Sequence, residues 1–138
     1  DHVSKEYYGR TSLGYKLKKS FGPQYKAIGF EFNSGQFRAY GQNSNSRDSA
    51  RIQVFQIEKD SNTLGCSLSK MNKGVIGISL RENKQHYIWN TSIFIHSSGA
   101  FFDSSPDKKE LFKERLLLHR SFDYLFIVDK MHPTVPAF

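Results

Sequence analysis

Cysteine is all but missing from this chain. Cys66 stands alone among 138 residues, so an internal disulfide is impossible and a disulfide scaffold is excluded. A single thiol also removes the common structural zinc sites. The five histidines, His2, His86, His96, His119 and His132, include no pair at zinc-motif spacing, and no metal is expected. Long apolar runs are missing too. No stretch approaches the ~18 consecutive apolar residues that read as a membrane span, so no membrane partner is expected. The phosphate loops G-x-G-x-x-G and G-x-x-x-x-G-K are absent, as is the G-x-S-x-G elbow, which leaves nucleotide cofactors and the α/β type of serine hydrolase unsupported. No cofactor is expected. The opening DHVSKEYY has neither an initiator methionine nor a capped first element, which is the expectation for a piece of something longer.

Positive charge, by contrast, is in excess. Twenty Lys and Arg against 13 Asp and Glu give a formal charge of +7, a balance that raises nucleic acid as a partner. The distribution argues otherwise. The basic residues fall mainly in Lys16-Lys18-Lys19 and in Lys108-Lys109-Lys113-Arg115-Arg120, with Glu110 and Glu114 interleaved in the second stretch. Mixed signs are the pattern of a solvated helix face, whereas phosphate tracking wants a single-sign stripe. No nucleic acid is expected. The segment KAIGFEF resembles an RNA-recognition strand, but it lacks the second glycine and has Glu31 where an apolar residue belongs. Hydrophobic content is 38%, and 14% aromatic residues supply large burial per side chain. The lone cysteine points to a reducing compartment, and a cytoplasmic location is expected.

Periodicity divides the chain into alternating elements. SLGYKLKKSF, residues 12 to 21, reads as a short helix with Thr11 or Ser12 as cap and Gly22-Pro23 as stop. Strands are expected at 26 to 32, 51 to 57, 74 to 80, 91 to 95 and 123 to 129, and a second short helix at 63 to 72 with Asn62 or Thr63 as cap. Between the first two strands lies the polar loop GQNSNSRDSA, and an antiparallel hairpin is expected there. Ser105-Pro106-Asp107 opens a helix from about 106 to 119. DYLFIVD should be a central strand buried on both faces, and Pro133 and Pro136 then end the sheet. The expected fold is α/β: a layered, mostly parallel sheet with flanking helices, in a single segment from 1 to 138.

An ordered set of motifs carries a resemblance. Asp1-His2-Val3-Ser4-Lys5 is followed by SLGYKLKKSFG, then Gly29-Phe30-Glu31-Phe32-Asn33-Ser34-Gly35-Gln36-Phe37-Arg38-Ala39, then Gly99-Ala100, and last Phe122-Asp123-Tyr124-Leu125-Phe126-Ile127-Val128-Asp129-Lys130. The order resembles the C-terminal portion of the erythromycin esterase family. In that family a His-Asn-x-His motif precedes a helix with a Gly and Leu pattern, a GFxFxxGxFRA strand and a closing FDxxxFIDK strand. The resemblance makes His2 the second histidine of the motif and the general base that activates water for attack on an ester or lactone carbonyl, without a metal. An imidazole suits that task, since its ordinary pKa of about 6.5 lets it take a proton at neutral pH. The alternative is that His2 is merely an exposed terminal residue.

Gly35, Phe37 and Arg38 are the candidate substrate-binding residues. In an open α/β sheet the ligand crevice lies beyond the carboxyl ends of the strands, and these residues follow the strand expected at 26 to 32. Gly35 would permit a positive φ, and Arg38 could bind a carboxylate or an oxyanion. Against this, Phe37 could simply pack and Arg38 could form a structural ion pair. The expectation is therefore a fragment of a metal-independent hydrolase acting on a small-molecule ester or lactone, inactive alone, with the oligomeric state left open. The competing expectations are a noncatalytic basic α/β module for an anionic partner, and a truncated product with no function of its own.

Overall fold

The computed structural model describes residues 6–7, 10–42, 51–71, 73–82, 86–97 and 101–135. In chain order its elements are β1 (Glu6–Tyr7), β2 (Arg10–Thr11), α1 (Leu13–Phe21), β3 (Ile28–Gln42), β4 (Arg51–Ile57), α2 (Leu64–Ser69), β5 (Val75–Ser79), β6 (Ile93–His96), β7 (Phe101–Asp103), β8 (Lys113–Leu116), α3 (Leu118–Ser121) and β9 (Tyr124–Met131). Tight 3-10 turns occupy Gly22–Gln24, Tyr87–Asn90 and Pro106–Phe112.

Local chemistry accounts for the first two helices as the sequence predicts. Ser12 caps α1, its Oγ accepting the Tyr15 N–H at 3.1 Å, and Gly22 closes the helix. Thr63 caps α2: its Oγ1 accepts the Cys66 N–H at 3.5 Å and donates to the Asp60 carbonyl at 2.8 Å. Each cap satisfies a backbone donor that the first turn would otherwise leave unpaired.

The strands assemble around β3. The order is β4-β3-β9-β5, with β7 also on β3. β9 runs parallel to the first half of β3, from Ile28↔Tyr124 to Gly35↔Met131. β4 runs antiparallel to the second half, from Gly35↔Ile57 to Gly41↔Arg51, which is the expected hairpin. β7 joins β3 in parallel at Tyr40 to Gln42, and β5 lies antiparallel on β9. β6 and β8 form their own antiparallel pair, as do β1 and β2. Among the described residues four of the six pairings are therefore antiparallel. The fold is mixed α/β, and the expected mostly parallel layering is corrected. Connections as short as the one between β3 and β4 can return the chain only antiparallel, because a parallel neighbour needs a crossover of about a dozen residues or more.

Three further expectations change. The strand begun near residue 26 does not stop at Asn33; β3 continues unbroken to Gln42. The helix expected from 106 to 119 is a 3-10 turn, then β8, then α3. Tertiary pairing overrides the helical pattern here: Lys113 to Leu116 lie opposite His96 to Ile93, and Ser97 N–H donates to the Phe112 carbonyl at 2.8 Å. Finally, β9 is buried on one face. Leu125 and Ile127 point into the core, while Tyr124 and Phe126 are exposed on the other side.

Two clusters hold the sheet. One gathers Leu64 of α2, Leu80, Ile95, Leu116, Leu118, Phe122, Leu125 and Ile127. The other gathers Phe32, Phe37, Ala39, Phe55, Ile57 and Phe102. Fully burying a Leu or Phe side chain is worth roughly 1.5–3 kcal/mol. Successive side chains of a regular strand point to opposite faces, yet Phe32 and Phe37 share one cluster. The odd positions from Ala27 to Gly41 stay buried throughout, and Phe32 is the even-numbered exception; Gly35, between the two halves, has a φ of 129°, in the region that favours glycine.

Candidate functional site

Glu31 is an acid in an otherwise apolar strand, and it is 1% exposed. An unpaired buried carboxylate would be prohibitive, so its partners define the site. Its Oε2 accepts the backbone N–H of His96 at 2.8 Å, and its Oε1 lies 3.0 Å from His96 Nδ1. The Gly65 N–H donates to Oε1 at 3.3 Å. That last bond needs glycine: a Cβ at position 65 would stand 2.5 Å from the Phe32 carbonyl and 2.8 Å from Glu31 Oε1. Both Glu31 oxygens accept backbone N–H groups, and Oε1 also meets the imidazole at Nδ1, which fixes the ring's orientation. The His96 ring stacks on Phe32 at 4.8 Å between centroids and 13° between planes.

His96 lines a cavity of about 340 Å³. Phe102 and Phe112 form its apolar side, their centroids 4.3 Å apart. Asp60, Glu110 and Lys113 form its charged side. Lys113 Nζ bridges Asp60 and Glu110, the latter at 2.6 Å. Only 13% of the Lys113 side chain is exposed, so the expected solvated face does not apply to this lysine. Its hydrogen bond to Asp60, aided by the Asn62 N–H, holds the Asp60 carboxyl below its ordinary value, while Asp60 and then Glu110 raise the Lys113 ammonium. Such a cavity can seat a small, partly apolar molecule against an oriented imidazole.

The residues singled out in the sequence do not converge there. His2 and Gly99-Ala100 lie outside the described residues. Gly35 is buried between β4 and β9. Phe37 packs on Phe55 and, edge-on at 5.0 Å, on Phe102, so it stands behind the cavity wall. Arg38 is exposed, opposite Val54. Among the described residues no group of three or more His, Cys, Asp or Glu side chains gathers as a metal-ligand set. Sequence reasoning missed Glu31 and His96. The available signal was a charged residue inside GFEF and a histidine closing the apolar run IFIH, both at positions where only a buried partner makes the residue tolerable.

The sequence profile described as erythromycin esterase matches residues 1–131. The matched stretch is nearly the whole chain. Among curated proteins nothing matches. Two solved structures share the fold. A protein from Bacillus cereus is 21% identical with a TM-score of 0.73, over 96% of this chain and 32% of its own. A succinoglycan biosynthesis protein is 20% identical with a TM-score of 0.70, over 94% of this chain and 29% of its own. The chain thus spans about a third of the length of these structures. Among the described residues no helix is long and apolar enough to cross a membrane.

Proposed function

Because the chain belongs to the erythromycin esterase family, we propose that it forms part of a metal-independent hydrolase that opens an ester or macrolide lactone with histidine-activated water, and that it is inactive alone. The observation that carries this reading is the family match along residues 1–131. His2 takes the role of general base that the family motif gives it. Arg38 is the proposed substrate contact whose side chain reaches solvent, while Gly35 and Phe37 shape the strand beneath it. His96, oriented by Glu31, supplies a second imidazole at a cavity wall. We assign a small-molecule ester or lactone as substrate, with no part for nucleic acid or membrane, and a cytoplasmic setting, which the lone free Cys66 fits.

The incomplete sheet supports the claim of dependence on a larger unit. A parallel pair such as β3–β9 is ordinarily covered on both faces. Here one face presents Ile28 at 49%, Phe30 at 68% and Val75 at 62% exposure, beside Tyr124 and Phe126. Among the described residues no strand pairs with Ile28 to Ser34 on the side away from β9.

The test is hydrolysis of a macrolide or a simple aryl ester by the longer polypeptide that carries this chain. Turnover lost by about a hundredfold or more in His2→Ala supports the role of a general base; undiminished turnover in that variant rejects it. Full turnover by residues 1–138 alone rejects the claim of dependence.

A further inference from the structure

At the end of the sheet where β3 and β9 begin, the fold brings together basic residues that the sequence keeps far apart. Lys18 of α1, Arg81 after β5, and His119 and Arg120 of α3 line one cavity of about 240 Å³, with Tyr25 and Asp123. Lys18 belongs to the first basic stretch of the sequence and Arg120 to the last; their convergence is a property of the fold.

The one carboxylate in the cavity is already committed. Asp123 Oδ2 accepts the Ala27 N–H at 2.8 Å, and Oδ1 accepts from Arg81 Nε. Burial alone would raise this carboxyl, but Arg81, the Ala27 N–H and Lys18 outweigh it and hold the group below its usual range. Asp123 therefore orients Arg81 and spends its oxygens on the wall. Three permanent cations, Lys18, Arg81 and Arg120, face a single carboxylate. Like charges in one concavity repel unless an anion joins them, and a guanidinium engaged through Nε still has terminal N–H donors in a planar fork suited to carboxylate or phosphate.

The geometry points to a binding site for a small oxyanion, a carboxylate or a phosphate group, held by Lys18, Arg81 and Arg120. It goes beyond the proposed hydrolysis and does not depend on it. The volume admits an anion the size of inorganic phosphate or acetate with its first substituent. The spacing of the cations around one concavity, rather than along a stripe, selects a compact anion over a polyanionic strand.

The experiment is an NMR titration of the 138-residue chain with sodium phosphate and, separately, sodium acetate, against sodium chloride at equal ionic strength. Saturable shifts of the Arg81 Nε–H and of the Lys18 and Arg120 amides, with Kd below about 5 mM, are expected for at least one oxyanion. Saturation by phosphate only assigns a phosphate group, by acetate only a carboxylate, and by both the shared oxyanion chemistry. Linear shifts that match those of chloride overturn the site in the wild-type protein, whatever the variants do. Lys18→Gln with Arg120→Gln should weaken binding by about tenfold or more, while Lys16→Gln, exposed elsewhere on α1, should leave it unchanged. Unaltered affinity in the double variant also overturns the assignment.

Discussion

Glu31 and His96, separated by 65 residues in sequence, are joined twice: Glu31 Oε2 accepts the backbone N–H of His96 at 2.8 Å, and Oε1 lies 3.0 Å from His96 Nδ1. The pair fastens β6 to β3 from beneath the cavity. Glu31→Ala removes the side chain that accepts two buried N–H groups, those of His96 and Gly65, and leaves a void. A loss of about 2–4 kcal/mol in urea unfolding is expected. Stability within about 0.5 kcal/mol of wild type would contradict it.

Neighbouring residues Phe37 and Arg38 should behave in opposite ways. Phe37 is enclosed by Phe55 and Phe102, so Phe37→Ala should cost about 3–5 kcal/mol. Arg38 is exposed, and Arg38→Ala should stay within about 0.5 kcal/mol. If Arg38 contacts substrate, the same change raises KM in the longer enzyme without lowering its melting temperature; steady-state kinetics beside thermal unfolding separates the two.

Gly35 admits no side chain. An alanine Cβ would stand 2.2 Å from the Met131 carbonyl oxygen, at a φ of 129°. Conformational strain alone costs about 1–3 kcal/mol, and displacing β9 adds to it. Gly35→Ala should fail to give a dispersed amide spectrum, or unfold at least 10 °C lower by circular dichroism, a shift of about 2 kcal/mol or more for a chain of this size.

Where local chemistry decides, the sequence is readable. Of the cap candidates Thr11 or Ser12 and Asn62 or Thr63, Ser12 and Thr63 serve, and the polar loop after Gly41 does join antiparallel strands. Long-range partners hide the rest. Leu111, Phe112, Arg115, Leu116 and His119 recur at helical spacing, but Leu111 is exposed while Leu116 is buried against β6, which no local window reveals. Past Asn33, β3 is carried by its pairing with β9 at Ser34 and Gly35 and with β4 from Gly35 to Gly41, and Asn33 Nδ2 itself donates to Asp129 Oδ1 at 2.8 Å across 96 residues of sequence. The site was hidden for the same reason. Glu31 reads as a flaw in an apolar strand until His96 and Gly65 are placed beside it.

Acid should destabilise the fold through specific carboxyls. Asp103 is held at about 2, against an ordinary 3.8, first by Lys108 Nζ at 2.7 Å and then by the hydroxyl and N–H of Ser105. A depressed carboxyl binds protons less readily folded than unfolded, so its contribution is complete above about pH 4 and vanishes as pH falls toward 2. Asp60 and Asp123, also lowered, act in the same direction. Urea midpoints should fall over this window, and Asp103→Asn should flatten the decline.

The open face of β3, β9 and β5 predicts self-association. Phe30 and Phe126 stack there with centroids 5.9 Å apart, in reach of solvent. Sedimentation of the isolated chain should show concentration-dependent oligomers, and Phe30→Lys should shift the population toward monomer. A wild-type chain that stays monomeric at high micromolar concentration would count against the incomplete sheet.

The parallel pairing of Ile28 with Tyr124 has a consequence for synthesis. Its two halves leave the ribosome nearly a hundred residues apart, and β9 sits between β3 and β5, so neither can take its final neighbour until almost the last residue described here has been translated. The β1–β2 and β3–β4 hairpins can form early. The nascent polypeptide must carry the first half of β3, with Phe30 and Phe32, without β9 for most of its passage.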